Sequence, residues 1–245
     1  MTPTERAVIE RLFPVTPTPY TIRPGGNVGL VIVDAVQGFT RFGNLADPEH
    51  MVPMVGRVAQ AYRRLKDELE ERLSVLVFLD THEADIPEPP YPPHGIQGSD
   101  EEILDPDLRF LAGEPNLTTI KKDCVNGFVG AINRHTSGNP LYQWILQWGI
   151  TTILVAGAGT DIGVSDFVLT LLSARNHGLL NRYRMHSQRA EYIAAIKGMD
   201  IVVLTGACET FHAPTAGHDR EAWHHAGLAL MQSRGAILAS HVTGA

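Results

Sequence analysis

The densest chemistry in the 245-residue sequence lies between Asp80 and His94. Asp80-Thr81-His82 closes an apolar run, and Glu83-Ala84-Asp85-Ile86-Pro87-Glu88-Pro89-Pro90-Tyr91-Pro92-Pro93 leads on to His94. Two imidazoles with carboxylates suit zinc, iron or manganese, and there is too little sulfur nearby for a thiolate site. Residues two apart at a strand end point to the same side, so Asp80 and His82 share a direction. The proline-rich loop is stiff, which lowers the entropy cost of returning His94 to that pair. Glu88 or Asp85 could add a further ligand, directly or through water. The same stretch also reads as a surface turn with incidental histidines, since the chain has 11.

Three other places could carry chemistry. Asp34 ends an apolar run before Ala35-Val36-Gln37-Gly38-Phe39. It could cap the following segment or serve as a buried general acid or base. In Lys121-Lys122-Asp123-Cys124 one of the adjacent lysines must point away from the other. One of them could therefore face inward toward Asp34, or both could be solvated at a strand edge. Gly157-Ala158-Gly159-Thr160-Asp161-Ile162-Gly163-Val164 has the form of a strand-to-helix turn whose N–H groups could receive an anion or oxyanion. Its spacing fits neither a Walker nor a dinucleotide fingerprint.

Positioning these residues falls to a set of alternating elements. Strands are expected at Val28–Val33, Val75–Leu79, Leu117–Ile120, Thr152–Val155, Ile201–Leu204 and Ala236–Ala239. Helices are expected around 52–72, 140–148, 164–176 and 219–233, the first from apolar residues at three-to-four spacing. Near-continuous apolar strands separated by helices predict a mainly parallel sheet covered on both faces. Asp34, Asp80 and Lys122 each follow a strand, where open parallel sheets bind ligands. Residues 1–26 read as an arm rich in proline, extended except for a short helix at Glu5–Leu12. Residues 27–245 read as one α/β domain.

Composition bounds the function. Hydrophobic residues make up 44% and charged residues 19%, an ordinary globular balance. The net charge is −7 without a basic stripe, which argues against nucleic acid and anionic membrane as partners. No apolar run approaches the roughly 18 residues of a membrane span, and the amino terminus has no signal-peptide pattern. Cys124 and Cys208 lie far apart and in no metal-type spacing, which fits a reducing, cytoplasmic setting.

In order along the chain, these residues resemble the isochorismatase-like cysteine hydrolases, and among them the nicotinamidases of the plant type. The resemblance runs from Val28 to Ser240. It rests on Asp34 with Phe39, on Asp80-Thr81-His82 through Tyr91-Pro92-Pro93-His94, and on Lys122-Asp123-Cys124-Val125-Asn126-Gly127-Phe128. Thr160-Asp161-Ile162, Ser173-Ala174-Arg175-Asn176-His177-Gly178 and Cys208-Glu209-Thr210-Phe211 continue it. It implies a three-layer α/β/α sandwich, a homo-oligomer and a small-molecule substrate. Carried onto this chain, Asp34 would be the acid/base, Lys122 its partner, and Asp80, His82 and His94 the ligands of a divalent metal, zinc first. Phe39, Tyr91 and Gly159 would line a pocket for a flat ring.

One departure is large. The family's cysteine nucleophile belongs in a Thr-Asp-Ile-Cys-Val context, and here the sequence reads Thr160-Asp161-Ile162-Gly163-Val164. Gly163 has no side chain for thioester chemistry but keeps its backbone N–H for an oxyanion. Gly95 and Gly159 also stand where close relatives are expected to have cysteine. Cys124 reads as structural rather than as a substitute nucleophile. Three functions follow: a nicotinamidase-like metal-containing hydrolase of a small cyclic or pyridine-type amide; an isochorismatase-type vinyl-ether hydrolase needing no nucleophile; or an inactive member that only binds the ligand.

Overall fold

The computed structural model describes residues 1–86, 88–181 and 189–244. In chain order the elements are α1 (Pro3–Leu12), β1 (Thr18–Thr21), β2 (Asn27–Val33), the single turn α2 (Gln37–Thr40), α3 (Pro48–Leu69) and β3 (Leu73–Asp80). Next come β4 (Leu117–Lys122), the single turn α4 (Gly127–Gly130), α5 (Pro140–Gln147), β5 (Ile150–Ala158), α6 (Ser165–Asn176), α7 (Arg189–Gly198), β6 (Asp200–Glu209), α8 (Arg220–Ser233) and β7 (Ile237–Thr243).

The seven strands form one sheet in the order β1-β7-β6-β5-β2-β3-β4. Every pairing is parallel. The three-layer α/β/α arrangement predicted above is therefore present. Pleating divides β2 between two cores. Val28, Leu30 and Ile32 face α3, with its Met54, Val58 and Leu65; Val31 and Val33 face the layer of Trp144, Phe167 and Met231. Most strand positions are fully buried, which is why their sequences read as unbroken apolar runs.

The chain runs outward through β2, β3 and β4, then returns to place β5 on the other side of β2. Strand order thus reverses between β2 and β5, the kind of switch point beside which parallel sheets bind ligands. Gly157 sits here with φ +127, and a Cβ on it would fall 2.0 Å from the Val33 carbonyl oxygen. Only glycine lets β5 approach β2 this closely.

The proline-rich segment is more ordered than its sequence suggests. α1 carries a capping box between Thr2 and Glu5, and β1 adds an edge strand beside β7. Pro19 is tolerated because β1 is an edge, where a missing N–H breaks no ladder. α7 was not expected from the pattern. β6 runs five residues beyond its expected end because of an irregularity: Val155 pairs with Val203, yet Gly157 pairs with Cys208.

Candidate active site

The register of β3 and β4 pairs Asp80 directly with Lys122 at their C-terminal ends. Lys122 is the inward member of the lysine pair; Lys121 is exposed and bonds Glu102 at 2.8 Å. The Lys122 Nζ lies 2.8 Å from Asp34 Oδ2 and 2.8 Å from Asp80 Oδ1. All three side chains are buried. Asp34 occupies a left-handed backbone conformation, φ +48, and its amide donates to the Phe78 carbonyl. A non-glycine residue held there is a strained position of the kind that clusters at functional sites.

The other Asp80 oxygen faces the histidines. Asp80 Oδ2 is 3.1 Å from His82 Nε2 and 3.2 Å from His94 Nε2. The candidate ligand atoms of Asp80, His82 and His94 all lie within 4.8 Å of one another, and all three residues are buried. His94 Nδ1 is 2.8 Å from the Pro92 carbonyl, an arrangement that puts its proton on Nδ1 and leaves the Nε2 lone pair for an ion. This donor set fits a divalent metal: two imidazoles and one carboxylate, with an oriented histidine. Glu88 Oε2 stands further out, 3.7 Å from His82 Nε2 and 3.6 Å from His94 Nε2. Its other oxygen accepts from the Val125 amide at 2.7 Å. Asp85 does not line the pocket described below.

Charge in this cluster is unevenly shared. Burial pushes the Asp34 carboxyl up to about 7, and neighbouring Asp80 adds to this while Lys122 opposes it. Asp80 is also desolvated, but Lys122, His82 and His94 outweigh that and hold it well below the usual carboxylate range. Lys122 is desolvated too, yet its two carboxylates raise it and keep it charged. One ammonium between two acids stabilises Asp80 as an anion and leaves Asp34 to bear most of the desolvation cost. Asp34 Oδ1 has no hydrogen-bond partner among the described residues.

Above the cluster is a solvent-open pocket of about 440 Å³, lined in part by Asp34, Asp80, Glu88, His94 and Lys122. Phe39, Tyr91, Gly159 and Gly163 line it too. Besides Asp85, only His82 among the expected site residues does not line this space; it reaches the site through Asp80, 3.1 Å away. Phe39 and Tyr91 both pack near the His94 ring, at centroid distances of 5.7 and 6.0 Å. Lys122 is the only lysine or arginine lining the pocket among the described residues. Leu45 and Met51 also line it and carry no sequence signal of their own, whereas Val125 and Phe211, which line it too, stand in motifs that carry the family resemblance without being marked as pocket residues.

The turn after β5 is a single π-type turn, Thr160–Val164, leading into α6. A Cβ on Gly163 would lie 3.1 Å from Asp34 Oδ2 and 3.4 Å from the Ala158 oxygen. Its backbone is in a region open to any residue. Gly95 and Gly159 differ, with φ +55 and φ +30, so both have a local backbone reason to be glycine. Cys124 lies outside the pocket, and burial pushes its thiol up, away from nucleophilic character.

Fold and site together define a three-layer α/β/α protein with an all-parallel sheet and a buried Asp–Lys–Asp line beside an Asp–His–His set. The chain belongs to the isochorismatase family, whose domain matches residues 28–182. It is 37% identical over 236 residues to Nicotinamidase 1 of Arabidopsis thaliana, covering 92% of this chain and 90% of the relative. Solved structures share the fold. The Streptococcus mutans pyrazinamidase/nicotinamidase superposes with a TM-score of 0.59 at 17% identity, over 86% of this chain and 99% of that one. A Leishmania protein described as PnC1 from L. infantum, in complex with nicotinate, gives 0.60 at 19%, over 89% and 96%. Among the described residues, no helix is long and apolar enough to cross a membrane.

Proposed function

We propose that this chain is a nicotinamidase-like, metal-containing hydrolase of a small cyclic or pyridine-type amide that works without the family's cysteine. The observation that carries this reading is the convergence of Asp34, Lys122, Gly163 and the Asp80 and His94 members of the Asp80–His82–His94 set on one pocket. Asp80, His82 and His94, with Glu88 near enough to assist, would hold the ion, which would supply Lewis-acid polarisation. Zinc suits the donors best, with iron or manganese as alternatives.

The protein's own groups then supply the acid–base chemistry. Gly163 leaves free the space a thiol would occupy, directly against Asp34 Oδ2. A water there attacks the carboxamide carbon and gives its proton to Asp34. Lys122 holds the charge on Asp34 and Asp80 while this happens. Backbone N–H groups of the Gly159–Gly163 turn receive the developing oxyanion. The C–N bond then breaks, the Asp34 proton passes to the leaving nitrogen, and ammonia departs with the carboxylic acid left behind. Phe39 and Tyr91 flank the ring. The same reading makes the protein a cytoplasmic homo-oligomer.

Gly163 also favours a second reading, a vinyl-ether hydrolase in which Asp34, held protonated up to about pH 7, is a general acid. The pocket's charge weighs against it. Dicarboxylate substrates of that chemistry need cationic partners, and Lys122 is already bonded to two carboxylates. Elemental analysis with an ammonia-release screen on pyridine and cyclic carboxamides tests the proposal. It expects one divalent ion per chain and slow ammonia release abolished by chelation. Pyruvate release from an isochorismate-type substrate, unaffected by chelators, would replace it with the second reading. Tight binding of nicotinamide with no turnover would make the chain an inactive binder.

A further inference from the structure

Phe211, just past the end of β6, lines the pocket and is held by an unusual polar brace. The His218 ring stacks on it, with centroids 4.2 Å apart and planes 20° from parallel. Trp223 lies parallel to His218 at 5.6 Å. Backbone bonds between Ala213 and His218 close the intervening loop and fold His218 back over Phe211. Both imidazole nitrogens are anchored. Nδ1 is 2.9 Å from the Phe211 carbonyl oxygen, and Nε2 is 2.9 Å from Asp161 Oδ2.

Asp161 stands two residues before Gly163, and its side chain is 7% exposed. Its second oxygen has no partner among the described residues, so this carboxylate is buried at a cost. On the other side, the His212 amide donates to Asp47 Oδ2, and the Asp47 amide donates to the Phe39 carbonyl. Phe211 is thereby tied both to the Gly159–Gly163 turn and to α2, the single turn that carries Phe39. An apolar residue at 218 would fill the same space without burying charge. What the imidazole adds is a fixed ring plane.

We infer that Phe211 is a ring-binding wall of the pocket and that His218, clamped by Asp161, is a positioning residue that pre-orients it for flat aromatic rings. This rests on reading the pocket as a ring-amide site. Fixing a side chain before binding removes an entropy cost from the complex. Aromatic pairing beyond simple burial corresponds to about a three- to tenfold difference in affinity. The selected substrate class is therefore aromatic heterocyclic amides over saturated ring amides of equal size.

Calorimetric titration of the full chain with nicotinamide and with cyclohexanecarboxamide tests this. Phe211→Leu and His218→Ala should each weaken nicotinamide about three- to tenfold and leave cyclohexanecarboxamide within twofold. His218→Phe, which keeps an aromatic face but loses both polar anchors, should leave nicotinamide weakened, and full affinity in that variant would overturn the clamp. Equal losses for both ligands, or no loss for nicotinamide, overturn the inference while leaving the amide reading intact. If the unaltered protein binds neither ring, both fall. Should His218→Ala fail to fold, Phe211→Leu decides the wall and His218→Phe the clamp.

Discussion

Replacing Lys122 with methionine removes the one ammonium that separates two buried carboxylates. Methionine matches the length and apolar volume of the stem, so packing is nearly conserved and the charge effect is isolated. In the metal-free protein, Lys122 contacts Asp34 and Asp80 at 2.8 Å each. At an effective dielectric near 20, each contact corresponds to about 6 kcal/mol of attraction, much of it offset by the desolvation of the ammonium. Breaking a buried pair by removing one partner nets about 3–5 kcal/mol of destabilisation, and that is the expected loss at pH 7. The pH dependence adds a second signature. Asp34 has a raised carboxyl, about 7 in the folded protein, so folding takes up a proton there. That contribution to stability is fully present below the unfolded-state value and is lost as pH rises through about 7. Without Lys122, Asp34 retains its proton to still higher pH. Between pH 7 and 8.5 the variant should therefore lose about 2 kcal/mol that the unaltered protein does not. Urea denaturation at pH 5.5, 7 and 8.5, after chelation and dialysis, measures both. A loss under about 1 kcal/mol, or one independent of pH, would refute the shared-ammonium account.

Further predictions concern backbone and metal. Gly157→Ala should cost about 3 kcal/mol or more, because its Cβ would meet the Val33 carbonyl at 2.0 Å. Gly56→Ala, in α3 with nothing within 4 Å of the added carbon, should instead stabilise by up to about 1 kcal/mol. Denaturation midpoints of the two variants compare them directly. Zinc at about 100 times its dissociation constant should stabilise the protein by about 2.7 kcal/mol, or roughly 5–11 °C in melting temperature. His94→Ala should abolish that shift. Zinc binding should weaken as pH falls, because Asp80 raises His94 above its ordinary value against the opposing effect of burial. A zinc-induced shift that survives His94→Ala would place the ion elsewhere.

Much of the frame was legible because buried parallel strands leave unbroken apolar runs. Strand ends then located Asp34, Asp80 and Lys122, and the sheet brings the Lys122 ammonium within 2.8 Å of each carboxylate. Spacing also marked His82 and His94, though the closeness of Glu88 depends on how the intervening loop folds. β1 was hidden, since Thr18–Thr21 is short, largely exposed and interrupted by Pro19. The far part of β6 was hidden by Thr205 and Gly206, which lie in its irregular stretch and break the apolar pattern. Phe211, Leu45 and Met51 enter the pocket only through tertiary folding, from three separate segments. The Phe211–His218–Asp161 brace likewise joins Asp161 to His218, 57 residues further on, for which no local pattern exists. For Gly163 the sequence offered only a missing side chain; its nearness to Asp34 and its ordinary backbone needed the fold.

The central claim is that this pocket is an amidase site in which Gly163 stands where a nucleophile would act, and Gly163→Cys tests it most directly. The backbone accepts a side chain there, and the new Cβ would sit 3.1 Å from Asp34 Oδ2, close enough for a small shift to seat it. A cysteine completing a cooperative set with Asp34 and Lys122 should raise ammonia release from nicotinamide by about 10³-fold or more. The gain should vanish on adding Asp34→Asn. A folded Gly163→Cys protein that releases no more ammonia than its parent, from nicotinamide or any other pyridine carboxamide, would contradict the account.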